Sequence, residues 1–325
     1  LFKLIEVKPF FKFCGYSFDR LSADIVALAE INSGTFNIDG VNRVGERLAT
    51  MADQLAPTSI EQLDIDPIAV VGADGVTSTA DVGQALRITK RPDAEFRICL
   101  FGHLDTVFPA DSMFQKVAVN GTRLHGPGVA DCKGGLVLAT EVLAHLDRVD
   151  WGHNIGWELL VLSNEEVGSA NSEHLLAQAA ASAQLGLGFE PSLPSGGVAA
   201  ARKGSSNVHT IVHGLAAHAG RAYDEGRSAI NELARLVTRL EGLNARDGVT
   251  VNCGRISGGG SLNVVPDLAV GSYNLRATSP ADQAWLEAHI EAAHSEANLD
   301  VDVVWTSKRP PKERTAALDL MLADV

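Results

Sequence analysis

The 325-residue chain contains no run of 18 or more apolar residues, so no stretch of it reads as a membrane-spanning helix. Cysteine is scarce. Cys14, Cys99, Cys132 and Cys253 are the only four, and no two form a C-x-x-C pair, which excludes a disulfide framework and a zinc ribbon. A reducing cytoplasmic address is therefore expected, with the periplasm as the alternative if the natural N-terminus is missing. Positive charge is also short: 27 Lys+Arg against 40 Asp+Glu leave a formal charge of −13, the wrong sign for nucleic acid or an anionic membrane surface. No GxxxxGK[ST] occurs and no GxGxxG follows a strand, which disfavours a phosphate cradle. No GxSxG elbow is present either, so a serine hydrolase is a remote reading. What remains is an ordinary globular mix, 46% hydrophobic and 21% charged, long enough for roughly two domains.

The first sixteen residues are basic and aromatic but lack the apolar core and cleavage site of a signal peptide. Residues 1–20 are read as an irregular segment. Helices are expected over Ser22–Ile31 and Asn37–Leu55, the second from Val41, Val44, Leu48, Met51 and Leu55 at three- and four-residue spacing. Strand Phe96–Phe101, helix Leu136–Leu146, strand Glu158–Leu162, helix Ser172–Ala183 and strand Leu185–Phe189 then alternate. Such alternation argues for an α/β sheet flanked by helices, with ligands at the carboxyl ends of its strands. From about residue 204 the order becomes βαββαβ, with strands Asn207–His213, Val249–Ile256, Leu268–Arg276 and Val301–Trp305 and helices Ser228–Leu240 and Ala281–Ala297. That is a ferredoxin-like unit. Residues 21–203 are thus assigned to a first domain, 204–306 to an inserted second one and 307–325 to a return to the first. His209 and His213 alternate with apolar neighbours and read as exposed strand positions; His289 and His294 are given no role.

Four successive strand ends or loops carry chemistry. In FGHLDTVFP, His103 and Asp105 lie two apart on an extended chain and point the same way. Asp105 can then take one ring N–H of His103 while the other nitrogen binds a metal. GPGVADCKGG opens a helix with Asp131, whose two carboxylate oxygens can serve two cations. LVLSNEEVGS ends a buried strand in Glu165 and Glu166, one suited to ligation and the other to general-base work. GFEPS ends another strand in Glu190. Nitrogen and oxygen ligands without thiolates suit zinc, with cobalt or manganese as substitutes.

These motifs, from about residue 20 to residue 312, closely resemble those of the co-catalytic zinc amidohydrolases. That family includes glutamate carboxypeptidase, acetylornithine deacetylase, succinyl-diaminopimelate desuccinylase and aminoacylase. The resemblance implies a zinc-peptidase-like α/β fold, a mixed sheet flanked by helices, with the βαββαβ insert as a lid and dimerisation domain. It implies two zinc ions on His103, Asp131, Glu166 and Glu190, with Asp131 bridging and Glu165 as general base. His218 in HGLAAHAG matches the family histidine that stabilises the oxyanion, usually across a homodimer. Asn263 in GGGSLNVVPD and Arg276 in YNLRA match lid residues that hold a substrate carboxylate, a role that suits the planar fork of Arg. The implied reaction is hydrolysis of an amide or peptide bond beside a free carboxylate, in a small molecule or short peptide. NVVPD, FEPS and KGSS point most to the glutamate carboxypeptidase branch, and the N-acyl-amino-acid deacylase branches stay open.

Two departures accompany the resemblance. The family completes its second metal site with a histidine near the C-terminus, and this sequence ends at Val325 before that segment. The expectation is either an incomplete version of a longer protein, which the missing initiator Met favours, or an impaired, non-catalytic dimeric metal-binding relative. Cys132, beside the bridging Asp131, is expected to make the site sensitive to oxidation.

Overall fold

A computed structural model of the chain describes residues 5–6, 18–193 and 195–323. The reading of residues 1–16, and Cys14 with it, lies mostly outside the described residues. By packing, the chain divides into two compact units, 1–68 with 80–193 and 69–79 with 194–325. No helix among the described residues is long and apolar enough to cross a membrane.

The first unit begins with helices α1 (Phe18–Ala29) and α2 (Ile38–Asp53). Helix α1 starts four residues before the expected Ser22, so residues 18–20 are helical rather than irregular. Leu21, Ile25 and Leu28, at spacings of four and three, bury one stripe. Asn37 caps α2 by accepting the Gly40 amide at 3.3 Å.

The remaining strands of this unit, with β1 the two-residue Ile5–Glu6, are β2 (Ser59–Leu63), β5 (Ala85–Lys90), β6 (Phe96–His103), β9 (Ile155–Leu162) and β10 (Leu185–Gly188). Strands β7 (Ala118–Asn120) and β8 (Arg123–His125) form a small hairpin paired with β1. The principal sheet runs β10-β6-β9-β5-β2. Strands β10, β6 and β9 are parallel, while β5 and β2 are antiparallel additions, which makes a mixed sheet. Sequence periodicity gave no sign of β2 or β5, because SIEQL alternates nothing and covers an edge. Helices α3 (Lys133–Leu146) and α4 (Glu173–Ser182) complete the unit. Its core joins Leu28, Val44, Leu48, Leu100, Leu136, Leu143, Trp157 and Leu159 in one cluster. At about 1.5–3 kcal/mol for each fully buried large side chain, this cluster is the main support of the strands that end at His103 and Leu162.

The second unit contains β11 (Gly204–His213), β12 (Val249–Gly258), β13 (Leu268–Ala277) and β14 (Asp300–Arg309), ordered β12-β13-β11-β14 and antiparallel throughout. Helices α5 (Ala229–Glu241) and α6 (Pro280–Ser295) supply the two crossovers of the expected βαββαβ order. They bury Val208, Tyr273, Leu275, Leu286 and Ile290 in one cluster and Val212, Leu233, Leu236 and Ala269 in another. Ile211 and Val270 instead pack with Val71, from the hairpin of β3 (Ile68–Val71) and β4 (Thr77–Ala80). That hairpin is held by Arg255 donating to the Val71 carbonyl at 3.1 Å and Ser257 to the Ala73 carbonyl at 3.0 Å. A last helix, α7 (Ala316–Ala323), ends the described chain.

Two histidine readings change. His209 is half-buried rather than exposed, its ring lying 2.9 Å from Ser272 Oγ and 3.3 Å from Thr306 Oγ1, and burial holds its pKa below the usual range. His294 is buried and meets Thr210 Oγ1 at 2.7 Å, so it closes a core contact between α6 and β11. His213 is exposed, as expected, and pairs with Asp302 at 2.9 Å.

Candidate metal centre

Parallel pairing sets His103 beside Leu162, so β6 and β9 deliver their carboxyl ends to the same rim. His103 is the last residue of β6 and has no solvent exposure. Its Nδ1 lies 3.0 Å from the Asp105 carbonyl oxygen and 3.2 Å from Asp105 Oδ1. Its Nε2 faces the other way, 3.0 Å from Asp131 Oδ1 and 3.9 Å from Glu190 Oε1. The ring therefore turns one nitrogen toward Asp105 and the other toward the candidate ligands, as a metal-binding imidazole requires.

Asp105 does more than orient that ring. Its fully buried carboxylate accepts the Glu165 amide at 3.1 Å on Oδ1, and the Glu166 amide at 3.2 Å and the Thr35 hydroxyl at 2.7 Å on Oδ2. Thr35 belongs to the loop between α1 and α2 and carried no spacing signal in the sequence. Its neighbour Ser33 donates to the Leu104 carbonyl at 2.8 Å, so the same loop holds the two residues that follow His103. Asp131 closes the Gly-rich loop just before α3 and keeps about half of its side chain exposed, and the Asp131–Cys132 peptide is cis. Glu190 follows β10 by two residues and is set by close packing behind it. A Cβ built on Gly135 would stand 2.1 Å from the Phe189 carbonyl oxygen, so only glycine lets α3 start there.

Ligand atoms of His103, Asp131 and Glu166 all lie within 4.8 Å of one another, and so do those of His103, Cys132 and Glu190. The four residues expected to bind metal are thus brought together. Cys132 departs from its expectation. Its thiol is fully buried and hydrogen-bonded to the backbone N and O of His103, at 3.1 and 3.2 Å, and burial pushes its pKa up. A protonated, inaccessible thiol is a poor target for oxidants.

The electrostatics suit a cation. Burial first, and then the Asp131, Asp105 and Glu165 carboxylates, push the Glu166 carboxyl up to about 7 despite the opposing effect of His103. Burial disfavours the charged form of His103, yet its hydrogen bonds to Asp105 and Asp131 help hold its pKa well above the usual value. Carboxylates crowded this closely repel one another, and a divalent ion relieves that repulsion. Lys133, absent from the sequence reading, is completely buried beside the site, donates to the Ile31 carbonyl at 2.7 Å and is lowered to about 7 by burial. A cavity of about 460 Å³ opens beside Asp131 and Glu166, with Val107, Phe108, Phe114 and His125 in its wall.

The other three expected site residues belong to the second unit. There His218 and Asn263 lie on paired segments: the Ala219 amide donates to the Asn263 carbonyl at 2.9 Å, next to the His218–Val264 bridge. His218 Nδ1 accepts the Gly220 amide at 3.1 Å, which fixes the ring. Arg276 stands near the end of β13, and its Nε donates to Asn274 Oδ1 at 2.8 Å.

Residues 200–302 match the family model of the peptidase dimerisation domain. The chain is 28% identical over 231 residues to succinyl-diaminopimelate desuccinylase of Gluconobacter oxydans, covering 63% of this chain and 59% of that protein. It is 28% identical over 221 residues to carboxypeptidase G2 of Pseudomonas sp. strain RS-16, covering 66% of this chain and 53% of that protein. The chain is thus similar to M20 family peptidases and carries a match to their dimerisation domain. It spans under two thirds of the length of both relatives. It also shares its fold with solved structures. One is the M20 family metallo-carboxypeptidase of Sulfolobus solfataricus, with a TM-score of 0.66 at 15% identity over 90% of this chain and 79% of that one. Another is aminopeptidase PepT of Bacillus cereus, with a TM-score of 0.62 at 21% identity over 94% of this chain and 80% of that one.

Proposed function

We propose that the chain is a metal-dependent hydrolase that cleaves an amide or peptide bond next to a free carboxylate. Its substrate is a small N-acyl amino acid or short peptide, handled as a glutamate carboxypeptidase-like exopeptidase or a deacylase would handle it. The observation that carries this reading is the meeting of His103, Asp131 and Glu166 ligand atoms within 4.8 Å at the rim of the sheet, with Glu190 beside them. Bound divalent ions, zinc first and cobalt or manganese as substitutes, would supply polarisation of the scissile carbonyl and a more acidic water. His103, Asp131 and Glu190 would hold one ion, and Asp131 and Glu166 would hold the second. Glu165, whose amide is pinned by Asp105, takes the proton of the attacking water and passes it to the amine nitrogen as the C–N bond breaks.

In the second unit, His218 stabilises the oxyanion and Asn263 and Arg276 hold the substrate carboxylate. The match of residues 200–302 to a dimerisation domain supports a homodimer formed through this unit, with His218 serving the site of the second copy. A cytoplasmic location is in keeping with free Cys99, Cys132 and Cys253.

The test is metal content and turnover together. Zinc-loaded, dialysed protein is analysed for metal and then assayed on N-acyl- and peptidyl-glutamate with and without a chelator. Bound zinc with chelator-sensitive release of the amine is the expected result. Protein that retains no zinc and releases no amine would sink the proposal and leave a non-catalytic relative in its place.

A further inference from the structure

We infer that Asn274 is the residue that aims Arg276, and that it does so through an amide pair with Asn207. The inference rests on the reading of Arg276 as the grip for the substrate carboxylate. Asn274 and Asn207 are register partners on β13 and β11, and Arg276 and Ser205 are the next same-face pair along the two strands. Asn274 Nδ2 donates to Asn207 Oδ1 at 2.7 Å and to Ser205 Oγ at 3.3 Å. Its Oδ1 accepts Arg276 Nε at 2.8 Å. Both ends of the amide are therefore committed. A flipped amide would set Nδ2 against the Arg276 Nε–H, donor against donor, so the neighbours leave one orientation.

The consequence falls on Arg276. A guanidinium on a long side chain has many rotamers, and catalysis or binding at a carboxylate needs one of them. Fixing Nε fixes the plane of the fork and turns its terminal nitrogens to a single direction. The fixing group is a neutral amide. A carboxylate in its place would hold Nε more tightly but would cancel the charge that attracts an anionic substrate. Asn274 is thus a positioning residue, and Asn207 and Ser205 hold it in turn.

The zinc-loaded chain is the material for the test, with N-acetylglutamate and its α-carboxamide as probes. Calorimetry gives the preference for the free carboxylate, and ¹⁵N-edited NMR gives hydrogen exchange at Arg276 Nε–H, assigned by its loss in Arg276→Lys. Asn274→Ala is expected to cut the preference about tenfold and to speed the Nε–H exchange by a similar factor, the usual scale for one hydrogen bond to a charged group. Asn274→Asp, which keeps an oxygen at the same place, should leave Nε–H protected and the fold intact, and Asn207→Ala should show a smaller loss of both. If Arg276→Ala abolishes the preference while Asn274→Ala changes neither quantity, the positioning role is wrong and the grip by Arg276 stands. If the unaltered chain shows no preference, or Arg276→Ala leaves it intact, the grip itself is wrong and the inference falls with it.

Discussion

Asp105 and Glu166 are joined through the main chain: Asp105 Oδ2 accepts the Glu166 amide at 3.2 Å, from a carboxylate with no solvent exposure. The same carboxylate meets Nδ1 of His103, so one side chain sets the positions of two candidate metal ligands on neighbouring strand ends. Replacing it therefore removes a charge, a ring anchor and a loop anchor together. Asp105→Ala is expected to lose zinc affinity at both positions and to destabilise the fold by about 3 kcal/mol, the usual scale for breaking a buried charged network. Asp105→Asn keeps one acceptor and should lose less. Urea unfolding and metal analysis on the two variants check this; equal, small effects in both would show that Thr35 and the strands hold the loop unaided.

Glu165 stands apart from its neighbour because it is assigned chemistry and not ligation. Glu165→Ala should lower turnover by at least about a thousandfold, in the range of general-base catalysis, while zinc content stays as in the unaltered chain. Elemental analysis beside a rate measurement separates the two roles. Loss of metal along with activity would make Glu165 a ligand and overturn the division between the two glutamates.

A pH dependence follows from Glu166. In the metal-free protein its carboxyl is pushed up to about 7, above the ordinary 4.5, so a proton competes with a cation for it. Zinc affinity should fall as pH drops below 7, by up to about tenfold per pH unit for one displaced proton. The sign for stability is opposite in the metal-free form. Because the folded state holds this proton more tightly than the unfolded state, metal-free protein loses stability as pH rises from 4.5 to 7. Zinc removes that loss. Thermal unfolding across this pH range, with and without zinc, tests both directions.

The strand ends that carry the candidate site were legible in the sequence, and the reason is topological. In a parallel sheet each chemical residue follows an apolar strand, so His103 after FRICLFG, Glu165 and Glu166 after IGWELLVL and Glu190 after LGLG mark themselves. Thr35 and Lys133 carried no such mark. Thr35 reaches Asp105 across 70 positions of sequence, and Lys133 reaches the Ile31 carbonyl across 102. The hairpin around Val71 was hidden for a related reason: its apolar partners, Ile211 and Val270, belong to strands far along the chain. Local pattern shows which residues end strands, while long-range hydrogen bonds and packing decide which loop holds them.

Cysteine chemistry gives a sharp prediction because the three described thiols differ in burial. Cys99 and Cys132 are buried, burial pushes Cys99 up to about 12, and Cys132 is also raised, whereas Cys253 is only partly buried. A thiol-specific alkylating reagent should modify Cys253 in folded protein and leave Cys99 and Cys132 untouched until denaturant is added. Peptide mapping by mass spectrometry reads the result. Rapid labelling of Cys132 in the native chain would restore the oxidation-sensitive site that its position beside Asp131 first implied.

Gly135 provides the last test, because it links helix packing to a ligand. An added Cβ would lie 2.1 Å from the Phe189 carbonyl oxygen, too close to be absorbed by a side-chain rotation, so the backbone before Glu190 must move. Phe189 is itself held by its amide donating to the Phe101 carbonyl at 2.8 Å, at the end of the β6–β10 pairing. Gly135→Ala should break or stretch that bond, draw Glu190 away from His103 and lower zinc affinity at that position by about tenfold or more, on the scale seen when the support of a ligand is disturbed. The position held by Glu166 should keep its metal, since Asp105 anchors it independently. Competitive zinc titration with a chromophoric chelator distinguishes the two. Unchanged affinity at both positions would mean that the 189–190 segment yields without moving Glu190.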